Sequence, residues 1–180
     1  MFQKRSQKTG FTFEKNVAVL SLAWIFAAAF SRWIPHPPNF TAIGAVAVLG
    51  GIAYSSRLWA LLVPVLALLT SDLVLGFHST MVWVYGAVMV VSLIAPLVLE
   101  RVNAFRLGGM AVLSTALFFL ITNFGVWATG SLYPMTAEGL LMSYVAAIPF
   151  SLNQLLADFF FIPVAVVSFQ WARAHVRVAA

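Results

Sequence analysis

The sequence predicts an all-α polytopic membrane protein: six transmembrane helices in a single domain, with both termini in the cytoplasm. Three observations predict it. The first is composition: the 180 residues are 62% hydrophobic and 8% charged, with mean hydropathy +0.98. A soluble domain has roughly 45–50% apolar and about 25% charged residues, so this chain cannot cover a water-facing surface. Disorder, which needs low hydrophobicity, is excluded on the same ground. The second is a series of six apolar runs near the roughly 20 residues a helix needs to cross a bilayer. The third is charge placement: nine of the ten Lys and Arg residues fall on one set of alternate connections. With the N-terminus inside, these are Lys4, Arg5, Lys8, Lys15, Arg57, Arg101, Arg106, Arg173 and Arg177, leaving only Arg32 outside. That is the positive-inside pattern. It gives the basic pI of about 10.1 a topological cause, and no basic soluble face remains to argue for a nucleic acid partner.

The elements follow in order. Residues 1–16 form a basic cytoplasmic segment before the first span, 17–34. A signal peptide is the competing reading, with Ala27-Ala28-Ala29 as cleavage site, but the apolar run continues to Ile34. Ala23 and Ala27 make a small-xxx-small pair that lets another helix approach closely. The first outer connection, 35–39, reads Pro35-His36-Pro37-Pro38-Asn39. Its prolines fix φ and hold His36 on a stiff segment, and Asn39 is placed to N-cap the second span. That span, 40–55, is short and rich in small residues (Gly44, Ala45, Ala47, Gly50, Gly51). The third, 58–75, carries Asp72 about one turn from its outer end, and Gly76-Phe77-His78-Ser79-Thr80 follows. The fourth is 82–99 and the fifth, 107–129, contains Asn123. An outer connection with Tyr133 leads to the sixth, 142–169, where Pro149 and Pro163 predict a kink or a re-entrant start. This span also holds Asn153, Gln154 and Asp158, and the tail 172–180 returns to the cytoplasm. The transmembrane domain is thus 17–171.

The chemically specific residues gather on the outer side. Inner connections are plain and charged, while the outer ones hold His36, Asn39, Phe40, Phe77, His78 and Tyr133. A site open to the extracytoplasmic side follows from that asymmetry. Acids inside a membrane are costly and face the protein interior or a watery cavity. Arg32 is the one basic residue at the depth of Asp72, so an Arg32–Asp72 pair is expected. Asp158 has no such partner and is expected to be protonated or to hydrogen-bond to Asn123, Asn153 or Gln154. These amides read equally as interhelix glue and as a cavity floor. Trp33, Trp83, Tyr85, Trp127 and Tyr133 lie near outer span ends, where aromatics anchor at the interface. Cysteine is absent, which removes disulfides, thiolate metal sites and cysteine nucleophiles.

Six short helices with specific residues in the first, third and fifth connections resemble the substrate-binding S-components of energy-coupling-factor vitamin transporters. A closer match runs through PHPPNFTAIGA (35–45), SDLVLGFHSTM (71–81), TNFGVW (122–127), YPMT (133–136) and AIPFSLNQLLADFFF (147–161). These segments look like a bacterial membrane-protein family of unassigned function that is similar to the BtuM-type predicted cobalamin transporters. The resemblance implies a multi-pass protein of the bacterial inner membrane and a vitamin bound beneath the outer loops. It also implies contact with an ATPase coupling module through the first helix, which Ala23 and Ala27 match. BtuM-type proteins carry a cobalt-ligating cysteine after the third helix; this chain has His78, Ser79 and Thr80 there, so thiolate-dependent decyanation is not expected.

The leading expectation is therefore transport rather than catalysis. The substrate is a small vitamin-type molecule, with cobalamin or another corrinoid preferred. Substrate-binding residues are His36, Asn39, Phe40, Asp72, Phe77, His78, Asn123, Tyr133, Asn153 and Asp158. His78 first and His36 second are the candidate cobalt ligands of a bound corrinoid, imidazole being a suitable ligand. No intrinsic cofactor is implied, and the absence of an ATP-binding motif assigns ATP energy to a partner. Two other readings stand: an intramembrane metal-dependent enzyme using His36, His78 and Asp72, and a non-catalytic membrane partner protein.

Overall fold

In the computed structural model, residues 2–178 are described, with side chains placed from 15 to 174. Lys4, Arg5, Lys8 and Arg177 lie outside the described side chains. The chain forms six helices: α1 (Phe2–Trp33), α2 (Ile43–Ala53), α3 (Arg57–Leu75), α4 (Met81–Val98), α5 (Ala104–Thr129) and α6 (Ala137–Val178). Five contain stretches long and apolar enough to cross a membrane: Lys15–Trp33, Arg57–Leu75, Met81–Val98, Ala104–Thr129 and Ala137–Ala174. The perimeter agrees with that reading. Val82, Leu97, Phe105 and Leu152 are all more than half exposed on the outside of the bundle, and apolar area on this scale marks a surface that meets a membrane or another protein.

α2 is the exception and organises the rest. Its eight residues Ile43 and Ala45 through Gly51 are all buried, because it packs against α1, α3, α4 and α6 at once. Two glycines permit this. A methyl group on Gly50 would come within 2.6 Å of the Ala60 carbonyl oxygen, and one on Gly51 within 2.0 Å of the Ser92 carbonyl oxygen. Across the same junction Ser92 Oγ donates to the Ala60 carbonyl at 2.8 Å, tying α3 to α4.

The second span expected at 40–55 is in fact only 11 helical residues. At 1.5 Å per residue it rises about 16 Å, half of a bilayer core of about 30 Å. α3 has 19 residues and rises about 28 Å. Residues 54–56 join the two, so α2 stops roughly 12 Å short of the far end of α3. The connection 34–42 descends to meet it. Asn153 Nδ2 on α6 donates to the Pro38 carbonyl at 3.0 Å, Phe40 packs edge-on to Phe161 with centroids 5.9 Å apart, and Ser31 Oγ accepts from the Ala42 amide at 3.0 Å.

Two expectations about helix ends are corrected. Asn39 does not cap α2: the N-cap position is Ala42, with no side-chain hydrogen bond. Asn39 has φ 64, a left-handed conformation that asparagine tolerates better than most residues. It sits in a turn closed by the Phe40 amide on the Pro37 carbonyl at 2.9 Å. The prolines set this turn, and the turn moves Asn39 away from the helix start. Nor does the sixth span begin as a re-entrant segment. α6 is one unbroken helix of 42 residues that contains both Pro149 and Pro163; the segment that dips is 34–42.

Candidate ligand-binding site

Because α2 stops short, a cavity of about 430 Å³ remains above its N-terminus, beneath the connections 34–42 and 76–80. α2 contributes Ile43 and Gly44 to the floor, α6 contributes Gln154, and α5 contributes Phe118, Thr122 and Asn123. His36, Asn39 and Thr41 come from the descending segment, and His78 and Thr80 from the connection after α3. Leu68 and Val84 supply apolar wall. Small-molecule sites have volumes of about 300–1,000 Å³ and mix apolar lining with a few convergent polar groups. This cavity fits that description.

The two imidazoles are held through the same ring nitrogen. His36 Nδ1 lies 2.7 Å from the Pro37 carbonyl oxygen, which only accepts, so Nδ1 carries the proton and Nε2 the lone pair in the neutral ring. His78 Nδ1 lies 2.9 Å from Thr80 Oγ1. Donation from Nδ1, as at His36, is the usual arrangement behind an imidazole that ligates through Nε2, while the Thr80 hydroxyl can accept from or donate to His78 Nδ1.

Of the predicted site residues, the cavity wall brings together His36, Asn39, His78 and Asn123. The Asn123 amide donates to the Phe119 carbonyl at 2.8 Å within its own helix. Phe40, Asp72, Phe77, Tyr133, Asn153 and Asp158 lie outside the lining. Phe40 faces Phe161, Phe77 is 64% exposed, and Asn153 holds the Pro38 carbonyl.

Asp72 is fully engaged. Arg32 Nη1 reaches Asp72 Oδ1 at 2.5 Å and also donates to Ser71 Oγ, and Tyr85 OH donates to Asp72 Oδ2 at 2.9 Å. The Arg32–Asp72 pair expected from the sequence is thus present, with Tyr85 as an addition that sequence reading had placed at the membrane interface. Trp83 likewise packs inward: a methyl group on Gly125 would fall 2.1 Å from its ring. Asp158 is 1% exposed. Of its expected amide partners, Gln154 lies beside the carboxyl group, as does Ser114; the hydrogen bond of good geometry comes from Thr115 Oγ1 to Oδ2 at 3.0 Å, and Oδ1 lies against Gly44.

Among the described residues, no group of three or more His, Cys, Asp or Glu side chains is placed to hold a metal ion. The triad of His36, His78 and Asp72 fails on geometry, since both Asp72 oxygens face Arg32 and Tyr85. Gln154, one of the amides read as glue or as cavity floor, is in the lining, and the residues that sequence reading passed over are hydroxyl groups on apolar helices and their ends: Thr41, Thr80 and Thr122. Their shared signal is a small polar side chain within an apolar stretch.

No curated protein and no solved structure matches the chain. Residues 11–179 match one family, described as a family of unknown function (DUF6580). Since the match covers nearly all of the six-helix bundle, the chain belongs to the DUF6580 family.

Proposed function

We propose that this protein is a membrane transport protein of the S-component type, which binds a small vitamin-type substrate in the cavity above α2. The single observation that carries this reading is a ligand-sized cavity made by a helix that ends halfway. Both termini are assigned to the cytoplasm by the positive-inside pattern, which turns the cavity outward. In a bacterial inner membrane the substrate then enters from the periplasmic side.

The substrate class we favour is a corrinoid, with His78 as first and His36 as second candidate for the cobalt. Support comes from two imidazoles lining one cavity, each hydrogen-bonded at Nδ1. On the perimeter, α1 exposes Ala23 and Ala27 beside Leu22 and Phe26. That small-residue notch supports contact with a coupling subunit, which would supply the ATPase the chain itself lacks.

Corrinoids are coloured, so the reading has a direct test. Protein purified from cobalamin-fed cells is expected to absorb in the visible, and added cobalamin is expected to raise its melting temperature, as any ligand of the native state does. His78→Ala is expected to weaken both effects. A colourless preparation with no thermal shift overturns the corrinoid assignment. Colour retained unchanged in the His36→Ala/His78→Ala double variant overturns the proposed ligands.

A further inference from the structure

The floor of the histidine-lined cavity is thin. Gly44 and Gln154 form part of it, and both also lie against Asp158. A methyl group on Gly44 would fall 2.1 Å from Asp158 Oδ1. Gln154 is beside the carboxyl group, one turn closer to the cavity on the same face of α6. α5 brings two hydroxyls to the same point: Thr115 Oγ1 donates to Oδ2 at 3.0 Å, and Ser114 lies beside the carboxyl group. All four side chains are more than nine-tenths buried, Ser114 and Asp158 at 1% exposure and Thr115 and Gln154 at 7%. Asp158 stands near the middle of the apolar stretch Ala137–Ala174. Acids at that depth mark ion paths in membrane proteins, and coupling ions are held near the bilayer midplane.

The chemistry of this cluster suits a hard cation, which takes oxygen ligands. Asp158, Ser114, Thr115 and Gln154 each carry a side-chain oxygen with lone pairs, and Thr115 keeps its own while it donates its hydrogen. Asp158 Oδ1 and Ser114 Oγ are buried without a hydrogen bond of good geometry, a state that in a native interior points to an ion or a water. Among the described residues no basic side chain neutralises the carboxylate. The salt bridge is Arg32–Asp72, Arg106 of α5 donates to the Val98 carbonyl at 3.1 Å, and α2 carries no charged residue. Charge then selects the ion. One carboxylate balances one positive charge, whereas a divalent ion would leave a net charge buried in an apolar bundle.

We propose that Asp158, Ser114, Thr115 and Gln154 bind a sodium ion just beneath the cavity floor, reached from the cavity between Gly44 and Gln154. The site is separate from the two imidazoles and stands whether or not the cavity takes a vitamin.

The test uses the full chain in detergent, freed of sodium and potassium and held at constant ionic strength with choline chloride. Radioactive sodium is expected to bind saturably, and replacing choline with sodium is expected to raise the melting temperature, as a ligand of the native state does. Asp158→Asn keeps the shape of the side chain, so the sodium-free protein is expected to melt near the parent while both sodium responses are lost. Should that variant fail to fold, Ser114→Ala is expected to keep the responses but weaken sodium binding about tenfold, the scale of one lost polar contact. Glu100→Gln removes an exposed acid on an inner connection and is expected to change neither response. Potassium is expected to compete less well than sodium; the reverse order overturns the choice of ion. Saturable sodium binding retained in Asp158→Asn overturns the site, as does a sodium shift that choline reproduces. Stabilisation by acid alone, with no response to sodium or potassium, overturns the metal site and assigns the carboxyl group to a proton.

Discussion

Two buried acids in this bundle stand in opposite electrostatic situations. Asp72 on α3 and Asp158 on α6 are each 1% exposed. Asp72 has a cation at 2.5 Å and a phenol hydroxyl at 2.9 Å, so both oxygens are satisfied and α1, α3 and α4 are tied together through one side chain. Asp158 has one hydrogen bond of good geometry, from a hydroxyl to Oδ2. The difference teaches which polar group is structural. A paired buried acid works as a clamp whose removal leaves a partner stranded. A buried acid with one hydroxyl donor has little to lose if its charge goes.

The largest expected effect breaks the clamp. Arg32→Ala leaves Asp72 buried without its cation, and removing one partner of a buried pair costs about 3–5 kcal/mol. Unfolding in detergent, followed by heat or denaturant, is expected to show that loss. The double variant Arg32→Leu/Asp72→Leu is expected to recover most of it, since replacing both partners by apolar groups is often near neutral. An Arg32→Ala protein as stable as the parent contradicts the clamp. Tyr85→Phe comes next: it removes one hydrogen bond to a charged group, worth about 1.5–3 kcal/mol. Combined with Asp72→Asn in a double-mutant cycle, it is expected to show coupling, because the two touch.

Glycine substitutions sharpen the contrast from the packing side. Gly51→Ala drives a methyl group to 2.0 Å from the Ser92 carbonyl oxygen, part of the α4 backbone. Gly44→Ala drives one to 2.1 Å from Asp158 Oδ1, the end of a side chain. A backbone cannot step aside without moving a helix, so Gly51→Ala is expected to cost about 1–3 kcal/mol, and Gly44→Ala less. The strain at Gly44 is expected to fall in an Asp158→Ala background, measured as a coupling of about 0.5–3 kcal/mol. Additive effects of the two changes refute direct contact between Gly44 and the carboxyl group.

How far the sequence carried depends on whether chemistry or geometry was at issue. Arg32 and Asp72 were legible as a pair because a lone cation and an acid sit at matching depth on neighbouring spans, and the cost of leaving either unpaired is high. Five long helices were legible from run length. The second span was legible as short, but not that only 11 of its residues are helical, because between Thr41 and Ser55 the run is apolar or glycine and hydropathy does not distinguish a helix from an extended segment that descends within the bundle. That one error displaced several readings, since it hid the dip of 34–42, the turn at Asn39 and the cavity above Ile43. His36, Asn39 and His78 were found because unusual residues in outer connections stand out, and Asn123 because an amide stands out within an apolar span. Thr122 needed the fold, which alone shows which face of a helix looks into a cavity, and Gln154, read beforehand as glue or cavity floor, lies in the lining. The surroundings of Asp158 were legible in part: Gln154 is beside it as expected, but the register of α5 that places Thr115 opposite needed the fold.

The smallest expected effect tests the other member of the comparison. Asp158→Asn keeps the shape of the side chain and leaves a carbonyl oxygen to accept from Thr115 Oγ1, the contact now made by Oδ2. It removes an acid that has no cation beside it; the salt bridge found among the described residues is Arg32–Asp72. The expected change in stability is within about 1 kcal/mol, since swaps that preserve volume are the best tolerated. Thr115→Val, which removes the donor of best geometry, is expected to cost more than Asp158→Asn, because it takes away the hydrogen bond that Oδ2 accepts. If Asp158→Asn proves as damaging as Arg32→Ala, Asp158 is a clamp like Asp72, with a cationic partner that the geometry around Gly44 and Thr115 does not provide.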